Sequence, residues 1–391
     1  VSTIGRASGG RAVVSGMICS QPNQGGATWA VLQFVLGLRR LGWEVYFVEL
    51  IDPAAVQPAG AKLDLSVNAA YLAATMSGFG LEQRWSLLSR GTRESVGLSR
   101  SRIDELCRDA DMVLDISGTL AGGDLLDGTA TNVYVDLDPA FTQLWQEVEG
   151  IDMHLAGHDR FVTVGMAIGQ PGCAVPTCGR EWITIPPPVV LEEWPAADAP
   201  TRSEMTTVGH WRGYGSIDHG GVLYGQRAHS LRRLMQLPSL TDQPLLLALA
   251  IHPDERADIA ALATSGWRLV EPATVAASPE DYRSFVRESR AELGVPKSGY
   301  VESACGWFSD RSACYLASGR PVVVQETGFS DYLPSGTGLL AYSDAAGAAQ
   351  CIARVNADYP AHSAAARRIA EQHLDSDLVL GRMVDLVGGG A

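Results

Sequence analysis

The sequence predicts an α/β protein made of two successive α/β halves, and three observations carry the prediction. Short apolar, β-branched runs alternate with helical patterns along the chain, the rhythm of parallel strands covered by helices. A length of 391 residues favours two domains, each large enough for its own core. Near the middle, Pro186-Pro187-Pro188 and the stretch from Trp194 to Pro200 read as a stiff, extended connection. The expected units are a first half over 11–188, a linker over 189–204 and a second half over 205–374. A terminal helical segment, 375–391, is expected to pack back on the first half.

In the first half, the run from Arg11 to Cys19 reads as a buried strand, followed by a loop holding Gly25-Gly26 and a helix from Trp29 to Leu41. Gly42 ends that helix, and Glu44 to Leu50 is the second strand, which completes a βαβ unit. The glycine pair lets backbone N–H groups approach a ligand, but it is not the G-x-G-x-x-G of a dinucleotide site. Residues 52–97 are less regular, with helices expected over Asn68–Met76 and Leu81–Leu88. Ile103–Cys107 reads as a helix, then Asp111–Ser117 and the run from Asn132 as strands. The second of these ends in Asp136 and Asp138, at the strand end where open α/β sheets bind ligands. His158, paired in sequence with Asp159, precedes another strand, Arg160–Val164. Cys173 and Cys178 permit a zinc knuckle by spacing but lack a second clear ligand pair.

The second half opens with a strand, Met205–Gly209, with Arg212 just beyond it. A helix over Ser230–Gln236, strands over Leu245–Ile251 and Gly266–Val270, and a helix over Asp281–Glu292 follow. The most informative stretch runs from Lys297 to Leu340. Ser309 is a good N-cap with Asp310 in the first turn, Ser312–Ser318 carry a helical pattern, and Gly319 stops it. Pro321 opens the strand Val322–Val324, and Thr327-Gly328 form a loop at its carboxyl end. A helix N-terminus and a glycine loop facing one crevice make an anion site. Helices over Ala345–Asn356, Ala361–His373 and Asp375–Val387 close the chain.

Composition narrows the function classes. Hydrophobic content is 46% and charged content 19%, as in an ordinary globular protein, and no apolar run reaches the length of a membrane span. A formal net charge of -14 without basic runs argues against nucleic acid as partner. Seven scattered cysteines suit a reducing cytoplasm, and residues 5–10 read as a polar leader, not a secretory signal. Only Lys62 and Lys297 are lysine, so Lys297 stands out as a compact charge ahead of the suspected anion site.

The segment from Gly306 to Cys314, then Ser318-Gly319-Arg320-Pro321-Val322-Val323, Glu326-Thr327-Gly328-Phe329 and Gly338-Leu339-Leu340, follows a known order of motifs. With its two α/β halves, the chain resembles glycosyltransferases of the GT-B fold, in which two Rossmann-like domains face a central cleft. The nearest likeness is to the retaining group whose signature carries paired glutamates, here replaced by Gly306 and Cys314. Ala304 to Ser309 also echoes the plant-type H-C-G-W-N-S, with Ala304 for its histidine.

The resemblance implies transfer of a sugar from a nucleotide diphosphate sugar, used as co-substrate, to a small-molecule acceptor, with a specialised metabolite as the guess. It implies neither a metal nor a tightly bound cofactor. Arg212 and Lys297 resemble the basic pair that neutralises the donor diphosphate, with Ser309, Arg311 and the Gly25-Gly26 loop beside them. Glu326, Thr327 and Gly328 would meet sugar hydroxyls, and Glu302 or Asp310 would stand in for the missing ribose glutamate. Inversion would take its general base from Asp136, Asp138 or His158. A homodimer is compatible with this reading. The alternatives are an inactive, glycosyltransferase-like nucleotide-binding protein and a sugar-nucleotide epimerase on the same scaffold.

Overall fold

The computed structural model describes residues 9–122 and 124–389, so most of the polar leader lies outside the described residues. The first half is one sheet of β1 (Arg11–Ser15), β2 (Glu44–Ile51), β3 (Trp85–Ser89), β4 (Ser95–Gly97), β5 (Met112–Ile116), β6 (Asn132–Asp136), β7 (Arg160–Thr163) and β8 (Trp182–Thr184). The strand order is β4-β3-β2-β1-β5-β6-β7-β8, parallel except for β4 against β3. Val13 sits opposite both Tyr46 and Val113, so β1 is central and buried on both faces, which is why it reads as an unbroken apolar run. Helices α1 (Gly25–Arg40), α2 (Val67–Gly78), α3 (Arg100–Arg108) and α4 (Phe141–Glu147) complete this half.

The second half holds β9 (Met205–His210), a hairpin of β10 (Ile217–His219) and β11 (Val222–Tyr224), then β12 (Leu245–Ala250), β13 (Arg268–Val270), β14 (Ala291–Gly294), β15 (Val322–Gln325) and β16 (Leu339–Tyr342). Six of these form a parallel sheet in the order β13-β12-β9-β14-β15-β16. Its helices are α5 (Arg227–Arg233), α6 (Arg256–Thr264), α7 (Pro279–Glu288), α8 (Ser298–Ser303), α9 (Asp310–Ala317), α10 (Ala345–Ala357) and α11 (Tyr359–Ile369). The last, α12 (Ser376–Gly388), crosses back to lie on α1, where Asp377 takes a forked pair of bonds from Arg40 at 2.9 Å each.

Two local expectations fail for one physical reason. Leu81–Leu88 is not a helix: Trp85–Ser89 form β3, paired in parallel with β2. Likewise the helix expected over Asp281–Glu292 ends at Glu288, and Ala291–Gly294 form β14 between β9 and β15. Both strands are too short to show a period, and partners distant in sequence decide their state.

The halves are packed together and not merely tethered. Trp29 of α1 is fully buried, donates from Nε1 to the Pro279 carbonyl at 2.8 Å, and meets Trp194 edge-on at 5.0 Å. Trp194, in the proline-rich connection, is therefore core. A second seam pairs backbone with backbone: Ala167 N–H donates to Cys305 O at 3.0 Å, beside a bridge between Gly165 and Trp307.

Candidate active site

Both sheets point their carboxyl ends at a cleft of about 420 Å³ between the halves. From the first half come Gln24 and Gly26 at the start of α1, Ser117 after β5 and Asp138 after β6. From the second come His210 at the end of β9, Arg227 opening α5 and Lys297 preceding α8. Ser309, Asp310 and Arg311 at the start of α9 complete that wall. Ser309 caps α9 by accepting from the Arg311 N–H at 3.2 Å, and Gly319, with φ of 70°, follows its end.

At the centre of the cleft one carboxylate of the first half is held by three groups of the second. Lys297 Nζ lies 3.1 and 2.9 Å from the two Asp138 oxygens, and Tyr214 and Tyr300 each donate a hydroxyl to the same carboxylate. The ammonium also lies over the rings of Tyr214 at 4.0 Å, Phe141 at 5.1 Å and Tyr300 at 5.3 Å, a cation–π arrangement. Burial lowers the Lys297 pKa, against the opposing pull of Asp138. Burial, reinforced by the Asp138 charge, raises both tyrosines well above their ordinary value, so they are hydrogen-bond donors here.

Two guanidinium groups lie behind that pair. Arg227 donates from Nε to Val295 O and from Nη1 to His210 O, both at 2.7 Å, and makes no salt bridge among the described residues. Gly209 makes room for it, since a Cβ there would stand 2.5 Å from Arg227 Nη1. Burial and the neighbouring Arg311 charge lower the Arg227 pKa to about 10, which leaves it protonated at neutral pH. Arg311 is bound to Glu292 of β14 at 2.6 Å and to Val208 O at 2.9 Å. The Asp310 carboxyl, beside it in the cleft, is pushed up by burial.

The structure separates the residues singled out in the sequence. Asp138, Lys297, Ser309, Asp310, Arg311 and Gly26 line the cleft together. Asp136 does not, since its buried carboxylate accepts from Thr142 Oγ1 at 2.7 Å, Thr163 Oγ1 at 2.8 Å and Gln143 Nε2 at 2.9 Å. His158 is buried inside the first half, 3.3 Å from Asp115, and stacks edge-on against Tyr134. Arg212 is turned outward and paired with Glu255, and Glu302 is bound to Arg233 at 2.7 Å. Glu326 folds back on its own loop, accepting from Gly328 N–H at 2.7 Å and Thr327 N–H at 3.0 Å. Thr327 is buried with its hydroxyl on Trp307 O at 2.5 Å, and a Cβ on Gly328 would meet Ala304 O at 2.8 Å. Gly25 gives its N–H to Ala276 O at 2.8 Å, so the glycine pair serves the contact between halves.

Sequence reasoning missed Arg227, His210, Tyr214 and Tyr300. Arg227 opens α5, and the two tyrosines reach Asp138 only through contacts between the halves, so only tertiary contact identifies them. Position near a strand end was the one usable signal, and it pointed two residues too far, to Arg212 instead of His210.

The sequence matches no protein-family model and no curated protein. Solved structures do match over nearly the whole chain. AviGT4, a glycosyltransferase involved in avilamycin A biosynthesis, superposes over 98% of this chain and 99% of its own at 17% identity, with a TM-score of 0.53. Sucrose-phosphate synthase from Thermosynechococcus elongatus covers 98% and 100% at 12% identity and a TM-score of 0.58. HepE from Anabaena, solved with UDP-glucose, covers 97% and 100% at 11% identity and a TM-score of 0.59. The fold is GT-B. Gly306 has φ of 74°, and a Cβ there would stand 2.7 Å from Ala167 N. The first half's backbone occupies the space that a side chain there would need. Cys314 is buried against Gln33 of α1 and faces the contact between halves.

Proposed function

We propose that this protein transfers a glycosyl group from a nucleotide diphosphate sugar to a small-molecule acceptor. One observation carries the reading: in a GT-B fold, Lys297, Arg227 and Arg311 converge on the cleft between the halves, beside the N-terminus of α9. The leaving group is a nucleoside diphosphate on which negative charge develops, so fixed cations in a partly desolvated site stabilise the transition state. The half over 205–374 holds the donor and the half over 11–188 the acceptor. Neighbours solved with UDP or UDP-glucose support this donor class.

If transfer inverts the anomeric centre, Asp138 is the base among the three carboxylate and histidine candidates, because it alone lines the cleft. It takes the proton of the acceptor hydroxyl as the new C–O bond forms and the bond from the anomeric carbon to the diphosphate breaks. In the free protein that carboxylate is held by Lys297, Tyr214 and Tyr300. The donor diphosphate competes for the Lys297 ammonium and so loosens the hold. The irregular stretch 52–97 is where the acceptor is read.

The second reading, a nucleotide-binding protein without transfer, draws on the packing of Gly306 against Ala167 and the closed Glu326–Gly328 loop. Calorimetric titration with UDP, GDP, ADP and dTDP, followed by a nucleotide-release assay on the matching sugars, separates the two. Binding with turnover supports the transferase, whereas binding without turnover across a broad acceptor panel supports the second reading. No binding of any nucleoside diphosphate would sink both. Lys297→Ala with unchanged affinity and turnover would remove that residue from the mechanism.

A further inference from the structure

We propose that a second cavity, beside the hinge, is a binding site for a small anionic sugar. The chain passes from the first half to the second near Val189 and returns near Asp375, and the two crossings pair. Val189 N–H donates to Leu374 O at 2.8 Å, and Ser376 N–H donates to Val189 O at 2.9 Å. Against this seam lies a cavity of about 470 Å³, within the range of small-molecule sites, about 300–1,000 Å³. The paired backbone at 165–167 and 305–307 runs between it and the cleft, with Trp307 lining the cleft and Met166 lining this cavity.

Its walls hold six polar side chains, of which Gln170, Tyr332, Gln372 and Arg382 are exposed and Thr184 and His373 half-buried. Gln170, Thr184, Tyr332, Gln372, His373 and Arg382 all line it, and none of their side chains has a hydrogen-bond or ion-pair partner among the described residues. In the cleft, Asp138, Lys297 and Arg311 are each already in ion pairs, while Arg227 is held by backbone carbonyls. Gln372 and His373 come from one wide π-helical turn, Ala370–Leu374, a distortion that recurs at functional sites. Among the described residues no acidic side chain lines the cavity, in a chain of formal net charge -14.

The lining specifies the ligand class. A guanidinium fork and an imidazole suit a carboxylate or phosphate. Two amides and a hydroxyl suit a ring bearing several hydroxyls. Tyr332, 41% exposed, offers an aromatic face, and Ile185, Pro186, Leu333 and Val379 give an apolar floor for the C–H side of a sugar. An occupant touches both halves and the returning crossing at once. The inference does not rest on the transferase reading, since it uses no residue of the cleft.

The test is calorimetric titration of the full chain with glucuronate, glucose 6-phosphate and neutral glucose, with UDP run in parallel as the report on the cleft. At least one anionic sugar is expected to bind, with glucose weaker by about tenfold or more. Arg382→Ala is expected to weaken the anion by about tenfold, with His373→Ala adding to the loss and UDP affinity unchanged in both. Failure of both anions to bind, equal binding of glucose, or full anion affinity in Arg382→Ala would each overturn the proposal.

Discussion

The two halves share an architecture and spend their charge in opposite ways. In the first half, three carboxylates at the ligand-facing end of the sheet, Glu49, Asp115 and Asp136, are turned inward, while Asp138 faces the cleft. Glu49 accepts from the N–H groups of Ile18 at 2.9 Å, Cys19 at 2.8 Å and Ser20 at 2.7 Å, and so fills with the protein's own anion the loop that could otherwise cradle a phosphate. Asp115 takes the Thr119 hydroxyl at 2.9 Å, and Asp136 takes Thr142, Thr163 and Gln143. In the second half the same end of the sheet presents Arg227, Lys297 and Arg311, and Arg227 rests only on backbone carbonyls. A protein acidic as a whole thus keeps a local cationic wall in its second half.

Asp136 and Asp138 offer the sharpest way to break that comparison, because they lie two residues apart on the same strand end. If Asp138 alone faces the chemistry, Asp138→Asn lowers turnover by about 10²–10⁴-fold, the usual range for a lost general base. Asp136→Asn instead removes an acceptor oxygen from a buried network and costs about 1–3 kcal/mol of stability in urea titrations. Its effect on nucleotide affinity is expected to be nil. A turnover loss confined to Asp136→Asn would reverse the assignment.

Next in size is Arg227→Ala. Loss of a buried guanidinium that meets a diphosphate is expected to cost about 2–5 kcal/mol of UDP affinity by calorimetry. It also leaves the Val295 and His210 carbonyls without their donors, so melting temperature falls too. Arg227→Lys restores charge without the fork and should recover only part of the affinity. The outward-turned Arg212 provides the contrast, and Arg212→Ala should leave UDP affinity unchanged. An equal loss in both variants would mean that the cationic wall is only a long-range field.

Gly306→Glu tests how firmly the seam between the halves excludes a side chain at this position. With φ of 74° and Ala167 N in the way, the substitution is expected to cost about 2 kcal/mol or more of stability and to restore no activity. A stable, more active Gly306→Glu would mean that the seam between the halves opens freely.

Legibility in the sequence followed the range of the forces involved. Ser309 as cap, Gly319 as stop and the buried Val322–Val324 run were readable because capping and burial on both faces leave local marks. The GT-B layout was readable because alternation of strand and helix is also local. Asp138 and Lys297 were each visible as candidates, yet their union, 159 residues apart in sequence, was not. Gly306 and Gly25 show the converse. The sequence offered the glycines as ligand-approach positions or lost motif, and the structure shows another backbone in the space a Cβ would need. What a glycine makes room for is a tertiary fact.

The smallest expected effect is a proton. His210 ends β9 and lines the cleft, and desolvation, with the charges of Arg227 and Lys297, lowers its pKa. The unfolded chain therefore takes up this proton at a higher pH than the folded one. His210's contribution to stability is present above its unfolded value of about 6.5 and is lost as pH falls toward the folded value. A diphosphate bound among the same cations reverses the local potential and raises the pKa, so UDP binding near pH 6 takes up a fraction of a proton. Titrations in buffers of different ionisation enthalpy then give different apparent enthalpies. His210→Asn should abolish that difference and leave UDP affinity at pH 8 within about threefold of the parent, since neutral imidazole and amide both present a polar edge. Equal apparent enthalpies in every buffer for the parent protein would place the diphosphate away from β9, and with it the claim that the second half's cationic wall is where the anion binds.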